Sequence, residues 1–157
     1  MSNKSISMTP IGHVSSPRVD LSDDNWGSVE STITIDAPDL DAESLMGLES
    51  FSHIEVIYHL DQVPDEEIER GARHPRGRTD WPKMGIFAQR AKARPNLIGL
   101  TRCRLLKVNG RTLHVRGLDA INGTPVLDIK PYLVEFGPIG EVLQPAWSHE
   151  VMKDYFK

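Results

Sequence analysis

The sequence predicts a mainly-β domain, a barrel or a sandwich, on three observations. Several short stretches alternate apolar and polar residues with the period of two that a half-buried strand requires. An Asn109-Gly110 pair lies between two such stretches, the strongest short hairpin signal. Helical patterns are too few to supply the crossovers of a doubly wound parallel sheet. The 157 residues fit one domain, large enough to fold without a disulfide or a metal.

Residues 1–8 are polar, lack the apolar stretch of a signal peptide and are expected to be disordered. A first strand is expected over Pro10–Ser15, followed by a loop rich in Asp, Asn and Ser up to Gly27. Over Val29–Ile35, Val29, Ser31, Ile33 and Ile35 alternate with Glu30, Thr32 and Thr34, which is a strand pattern. Asp39 or Asp41 can cap a short helix running to Met46, and Gly47 can end it. Phe51–Leu60 is a second strong strand, with Ile54, Val56, Tyr58 and Leu60 on one face and His53, Glu55, Ile57 and His59 on the other. Gln62–Pro82 reads as a long loop with a helical turn near Asp65–Gly71, and a loop of that length is usually functional or mobile. Further strands are expected at Gly85–Gln89, Leu97–Val108, Thr112–Arg116 and Val126–Leu133, with one or two short helices in all. The remainder, 136–157, reads as a tail packing on the barrel or on a dimer partner.

The total charge of −4 conceals an asymmetry. Ten Lys and Arg residues lie between Arg70 and Arg104 against Asp80 alone, a net +9, which leaves −13 for the rest of the chain. Such a basic stretch suits an anionic partner; the alternative is that its arginines pair with acids elsewhere in the chain. Cys103, the sole cysteine, reads as a small core residue and excludes an intrachain disulfide, in keeping with a reducing cytoplasm. No apolar run approaches the ~20 residues of a membrane helix, so a membrane is not an expected partner; DNA is not an expected partner either. No strand is followed by G-x-G-x-x-G, and neither a P-loop nor G-x-S-x-G is present. His53, Glu55, His59 and Asp61 share a strand face, but they span roughly 20 Å at ~3.3 Å per residue, so one metal ion cannot reach all four. Asp128 and Lys130 read as a buried structural pair.

Two segments offer ligand chemistry. In the stretch from Gly85 to Leu100, Pro95 drives Arg94 to an extended conformation and Gly99 allows a close backbone approach. Arg90 and Arg94 then stand on a rigid turn where they can fork an anion, or serve as surface arginines of a structural turn. The turn from Asp119 to Pro125 presents the side-chain oxygens of Asp119 and Asn122 beside Gly123. Asp119 either meets a ligand there or caps the turn.

Five motifs taken in order resemble the TsaA-like, or TrmO, family across Thr9–Leu133. They are Ile11-Gly-His-Val-Ser-Ser-Pro17, Gly47-Leu-Glu-Ser-Phe-Ser-His53, Gly85-Ile-Phe-Ala-Gln-Arg90, Arg94-Pro-Asn-Leu-Ile-Gly99 and Asp119-Ala-Ile-Asn-Gly-Thr-Pro-Val-Leu-Asp-Ile-Lys-Pro-Tyr132. The resemblance implies a single-domain β-barrel over residues 9–135, a homodimer, and an S-adenosylmethionine-dependent methyltransferase. Characterised members methylate N6 of threonylcarbamoyladenosine beside a tRNA anticodon. Motif by motif, it implies cofactor contacts at Trp26, Gly27, Ser28, Asp61, Gln62, Arg90, Leu100 and the Asp119, Ala120, Ile121, Asn122 turn. Asp119 and Asp61 are the candidates for a general base or a ribose-binding carboxylate. Arg73, Arg76, Arg78, Lys83 and Arg94 are the candidates for anticodon-loop phosphates, with Trp81 and Trp26 for stacking a splayed base. The sequence departs from the family where Asp61 replaces His, where Leu97 replaces Pro, and across His74–Pro82. Methylation of a small molecule, and a non-catalytic RNA- or S-adenosylmethionine-binding barrel, are the competing functions.

Overall fold

A computed structural model describes residues 3–157, and its centre is a closed antiparallel barrel of six strands. In chain order the strands of the molecule are β1 (Gly12–Ser15), β2 (Glu30–Ile35), β3 (His53–His59), β4 (Ala72–Arg73), β5 (Met84–Gly85), β6 (Ile98–Asn109), β7 (Thr112–Arg116) and β8 (Pro125–Pro131). Around the barrel the order is β1, β2, β7, β6, β3, β8, and β8 returns to β1 through Gly12↔Val126. Strands β4 and β5 form a separate two-stranded ribbon. Closure leaves the barrel no free edge.

The alternation seen in the sequence sets which side chains enter the barrel. Ser31, Ile33 and Ile35 of β2, Ile54, Val56 and Tyr58 of β3, and Leu113 and Val115 of β7 are all buried. Cys103 and Leu105 of β6, Val14 of β1 and Val126 of β8 complete the packed interior, and Leu45, Leu118 and Ala120 join it from connecting turns. A bulge between Leu105 and Lys107 turns Leu106 outward, which keeps the register of the long β6 with the short β7. Burial raises the Cys103 thiol to about 12, so it is a packing group and not a nucleophile.

Several expected elements take another form. The capped segment after Asp41 is a 3-10 turn, Ala42–Leu45, whose Glu43 amide donates to the Asp41 carboxylate at 2.9 Å. The apolar run Gly85–Gln89 is a strand only at Met84–Gly85; Ile86–Ala88 is a 3-10 turn that buries Ile86 and exposes Phe87. The hairpin turn is Gly110-Arg111, because Asn109 pairs with Thr112 and only Gly110 takes positive φ, at +60°. Glycine therefore holds the first turn position, where a two-residue loop can need φ > 0. Asp128 and Lys130 do pair, at 3.0 Å, but on the exposed side of β8 and not in the core. The expected disordered segment begins at residues 1 and 2, which lie outside the described residues; residues 3–8 are exposed and without regular structure. The one α-helix among the described residues, α1 (Ala146–Met152), lies near the end of the chain, and no helix there is long and apolar enough to cross a membrane.

Ile54 is fully buried and its strand is clasped between β6 and β8. Replacing Ile54 with Ala is expected to cost about 2–5 kcal/mol, while Ile139→Ala, at a fully exposed site, stays within about 0.5. Urea unfolding of the two variants checks the contrast.

Candidate functional site

At one end of the barrel a carboxylate is gripped by hydroxyl groups. Asp119 follows β7, after Gly117 at φ +83° and the fully buried Leu118, so its side chain is delivered to the barrel mouth. Tyr58 Oη, from β3, donates to Asp119 Oδ1 at 2.8 Å. Thr101 Oγ1, from β6, donates to the same oxygen. Tyr155 Oη, from the segment after α1, donates to Oδ2. Gly99 makes the first of these contacts possible: a Cβ there would lie 2.4 Å from the Tyr58 ring. Burial and the neighbouring Asp119 charge hold both tyrosines well above their usual ionisation range, so they remain donors at any physiological pH.

A narrow pocket opens beside this group. Trp26 walls one side, the Asp119, Ala120 and Ile121 turn another, and Leu60, Asp61 and Gln62 follow from the end of β3. Leu21 and Lys92 complete the rim. Trp26 is almost fully buried, yet its Nε1–H meets no acceptor among the described residues. The guanidinium of Arg18 covers the Trp26 ring at 3.9 Å.

Six of the expected ligand residues, Trp26, Asp61, Gln62, Asp119, Ala120 and Ile121, thus line one pocket. The others lie around it. Arg90 donates to the Leu100 carbonyl, tying its turn to β6 one residue from Thr101. Gly27 packs against the Phe156 backbone, and Ser28 is exposed. Asn122 serves the first loop: its Oδ1 accepts from the Ser16 amide at 3.1 Å, and its own amide donates to the Arg18 carbonyl. Neither motif nor spacing points to Tyr58, Thr101, Lys92 or Tyr155 as site residues. Strand alternation carries a signal for the first two, as the polar tips on otherwise apolar inward faces.

The basic stretch is largely engaged inside the protein. Arg76 forks Asp24 at 2.8 and 3.1 Å, and Lys92 holds Asp23 at 2.9 Å and the Leu21 carbonyl at 3.1 Å. The Asp24 hydrogen bonds push the Arg76 guanidinium still higher. These two side chains pin the acidic loop that carries Trp26. Arg94 spends its guanidinium on the carbonyls of Gln89 and Ala91. Arg78 pairs with Asp80 and stacks on Trp81, which is buried; neither Trp81 nor Trp26 offers a free face for a base. Arg70, Lys83 and Arg104 are exposed and have no acid partner among the described residues; Arg73 also has none and is half-buried. The turn at Asn96 and Leu97 takes φ of +65° and +50°. A proline, fixed near −65°, has no place at 97 in this backbone; Leu97 instead buries its side chain with Val63 and Ala93.

The fold built around this barrel is found in solved structures. The crystal structure of TrmO from Pseudomonas aeruginosa superposes with a TM-score of 0.73 at 28% identity, over 90% of this chain and 62% of that one. The sequence profile of the tRNA-methyltransferase O N-terminal domain matches residues 21–137, and the chain belongs to that family. A probable S-adenosyl-L-methionine-binding protein of Methanothermobacter thermautotrophicus is 43% identical over 89% of this chain and 99% of its own length. The human tRNA (adenine(37)-N6)-methyltransferase is 41% identical over 65% of this chain, which spans 23% of that protein.

The two tyrosines on Asp119, Tyr58 buried and Tyr155 half-buried, set a pH dependence. An unfolded tyrosine ionises near pH 10, whereas these keep their protons in the fold. Their contribution is complete below pH ~10 and is lost as pH rises above it, because the unfolded state alone then releases protons. Thermal melts are expected to fall above pH ~10, and less steeply in Tyr58→Phe than in the parent chain.

Proposed function

We propose that this chain is an S-adenosylmethionine-dependent methyltransferase whose acceptor is N6 of threonylcarbamoyladenosine in the anticodon loop of a tRNA. The observation that carries the reading is the convergence of Trp26, Asp61, Gln62 and the Asp119 turn on one pocket in a chain of this family. The names of relatives, a tRNA methyltransferase and an S-adenosyl-L-methionine-binding protein, support the same chemistry. The chain spans about a quarter of the human relative and less than two thirds of the solved one.

The pocket suits the cofactor in its donors and acceptors. Asp119 Oδ1 already accepts two hydroxyls, while Oδ2 accepts one and has room for another. A ribose hydroxyl donating to Oδ2 completes that set. The buried indole N–H of Trp26 is a donor in need of an acceptor, which an adenine or carboxylate of the cofactor can provide. When bound, S-adenosylmethionine supplies an electrophilic methyl group on a sulfonium. The protein's task is then alignment. Asp119, engaged on three sides, holds and orients; Asp61, exposed at the pocket rim with only the Gln62 amide at 3.3 Å, keeps open lone pairs to take the proton that the acceptor nitrogen sheds. Arg70, Arg73, Lys83 and Arg104 are the cations left for RNA phosphates, and the exposed ring of Phe87 stands on the turn that precedes Arg90. The proposed setting is the cytoplasm. A second copy is the proposed partner: Val134, Phe136, Ile139 and Leu143 form an exposed apolar run for which a homodimer would account.

Calorimetry with S-adenosylmethionine, and transfer of a labelled methyl group to total tRNA followed by nucleoside analysis, test the two halves of the reading. Ligand at ~100 times its dissociation constant is expected to add about 2.7 kcal/mol of stability. Label is expected in a modified adenosine, and Asp119→Ala is expected to lose cofactor binding. Absence of any interaction at millimolar ligand sinks the whole proposal. Binding without transfer to tRNA leaves a small-molecule acceptor or a non-catalytic barrel. Sedimentation of the free protein reads the dimer.

A further inference from the structure

The segment from α1 to Phe156 lies outside the barrel and outside the stretch that matches the family. It nevertheless bonds to the loop that walls the pocket and to Asp119 itself. The Asn25 amide donates to the Asp154 carbonyl at 3.0 Å and the Trp26 amide to the Tyr155 carbonyl at 2.8 Å, so the strap runs along the loop that forms the pocket wall. Gly27 is shaped for it: a Cβ there would lie 1.9 Å from the Phe156 carbonyl oxygen. Glu150 of α1 accepts the indole N–H of Trp81 at 2.6 Å, anchoring the other end of the strap to the basic loop. Its Tyr155 side chain reaches inward to the one carboxylate oxygen that the barrel leaves unbound.

We propose that Tyr155 is a positioning residue of the ligand pocket, its hydroxyl fixing Oδ2 of Asp119 so that this oxygen meets a hydroxyl of the bound ribose. The inference rests on the cofactor reading above. The reasoning is a matter of lone pairs. Tyr58 and Thr101 both bond Oδ1, and two bonds to one oxygen leave the carboxylate free to swing its other oxygen. A third donor on Oδ2 sets the plane of the group, and the lone pair that remains there is then the acceptor offered to the pocket. Pre-setting an acceptor removes the ordering cost from the binding step. Burial keeps the Tyr155 hydroxyl protonated and so able to donate. The strap is held by its backbone, by Glu150 and by Gly27 independently of the hydroxyl, so loss of that hydroxyl leaves the strap seated.

Tyr155→Phe isolates the hydroxyl. Isothermal calorimetry with S-adenosylmethionine is expected to show affinity weakened about tenfold or more, as for a lost hydrogen bond to a charged group. The unliganded protein is expected to lose some melting temperature with the hydrogen bond to Asp119 but to keep the single cooperative transition of the parent chain. In a double-mutant cycle with Asp119→Asn, the two losses in affinity are expected to be non-additive, because each removes the same contact. Unchanged affinity in Tyr155→Phe overturns the proposal and reduces the strap to a structural support. Tighter binding also overturns it, making the tyrosine a competitor for the ribose position. Additive losses in the cycle overturn it as well, because Tyr155 would then act elsewhere than through Asp119. If the parent chain itself binds no S-adenosylmethionine, the cofactor reading has failed and this inference falls with it, an outcome distinct from the other three.

Discussion

The carboxylate of Asp119 is the constraint on which the rest of the site depends. A negative charge at the mouth of an apolar barrel is costly unless its oxygens are hydrogen-bonded. The chain meets that cost with three hydroxyls from β3, β6 and the strap, and each hydroxyl in turn dictates a local feature. Tyr58 reaches Asp119 only because position 99 lacks a side chain. Thr101 replaces what the surrounding pattern of Cys103 and Leu105 would make an apolar residue. Tyr155 is presented by the turns after α1, and their close packing on the first loop needs glycine at 27. Five positions scattered along the chain, 27, 58, 99, 101 and 155, are thereby tied to one functional group.

A second layer of charge holds the wall opposite. The loop between β1 and β2 is acidic at Asp23 and Asp24, and the basic stretch sends Lys92 and Arg76 to those two residues. Exposed ion pairs contribute little to stability, but the Arg76 fork is bidentate and half-buried, so it fixes geometry more than it adds energy. The consequence is that Trp26, between this clamp and the strap, is held from both sides without a hydrogen bond to its own indole among the described residues. The charge asymmetry of the sequence is therefore in part an internal brace, and the cations left for an anionic partner are fewer than the composition suggests.

What was legible in the sequence follows from the range of the forces involved. Strands β2, β3 and β7 were readable because burial of one face imposes a period of two on neighbouring residues, as at 31, 33, 35 and 54, 56, 58. The turn at 119 was readable because Asp, Asn and Gly mark bends by local bonding. The stretch 85–89 was not, since an apolar run has no period to separate a strand from a 3-10 turn in which Ile86 is buried and Phe87 exposed. The destination of Arg94 depends on two loop carbonyls that no residue type announces. Arg76 and Asp24 are 52 residues apart, and Tyr155 and Asp119 are 36 apart; nothing local to either end encodes such meetings. The motif resemblance reached the pocket where spacing alone left Asp119 as either a ligand or a cap.

The seam between β1 and β8 carries a consequence for how the molecule comes into being. Gly12 waits for Val126, so the barrel stays an open sheet until the strand at 125–131 has been made. At roughly 5–20 residues per second of synthesis, the early strands spend several seconds with exposed apolar faces and unpaired edges. Trp26 leaves the ribosome long before Tyr155, whose segment its amide binds. Small ligands cannot guide the early stages of folding here, because there is no pocket to enter; a nascent chain that stalls before residue 126 is an aggregation risk that added ligand does not relieve.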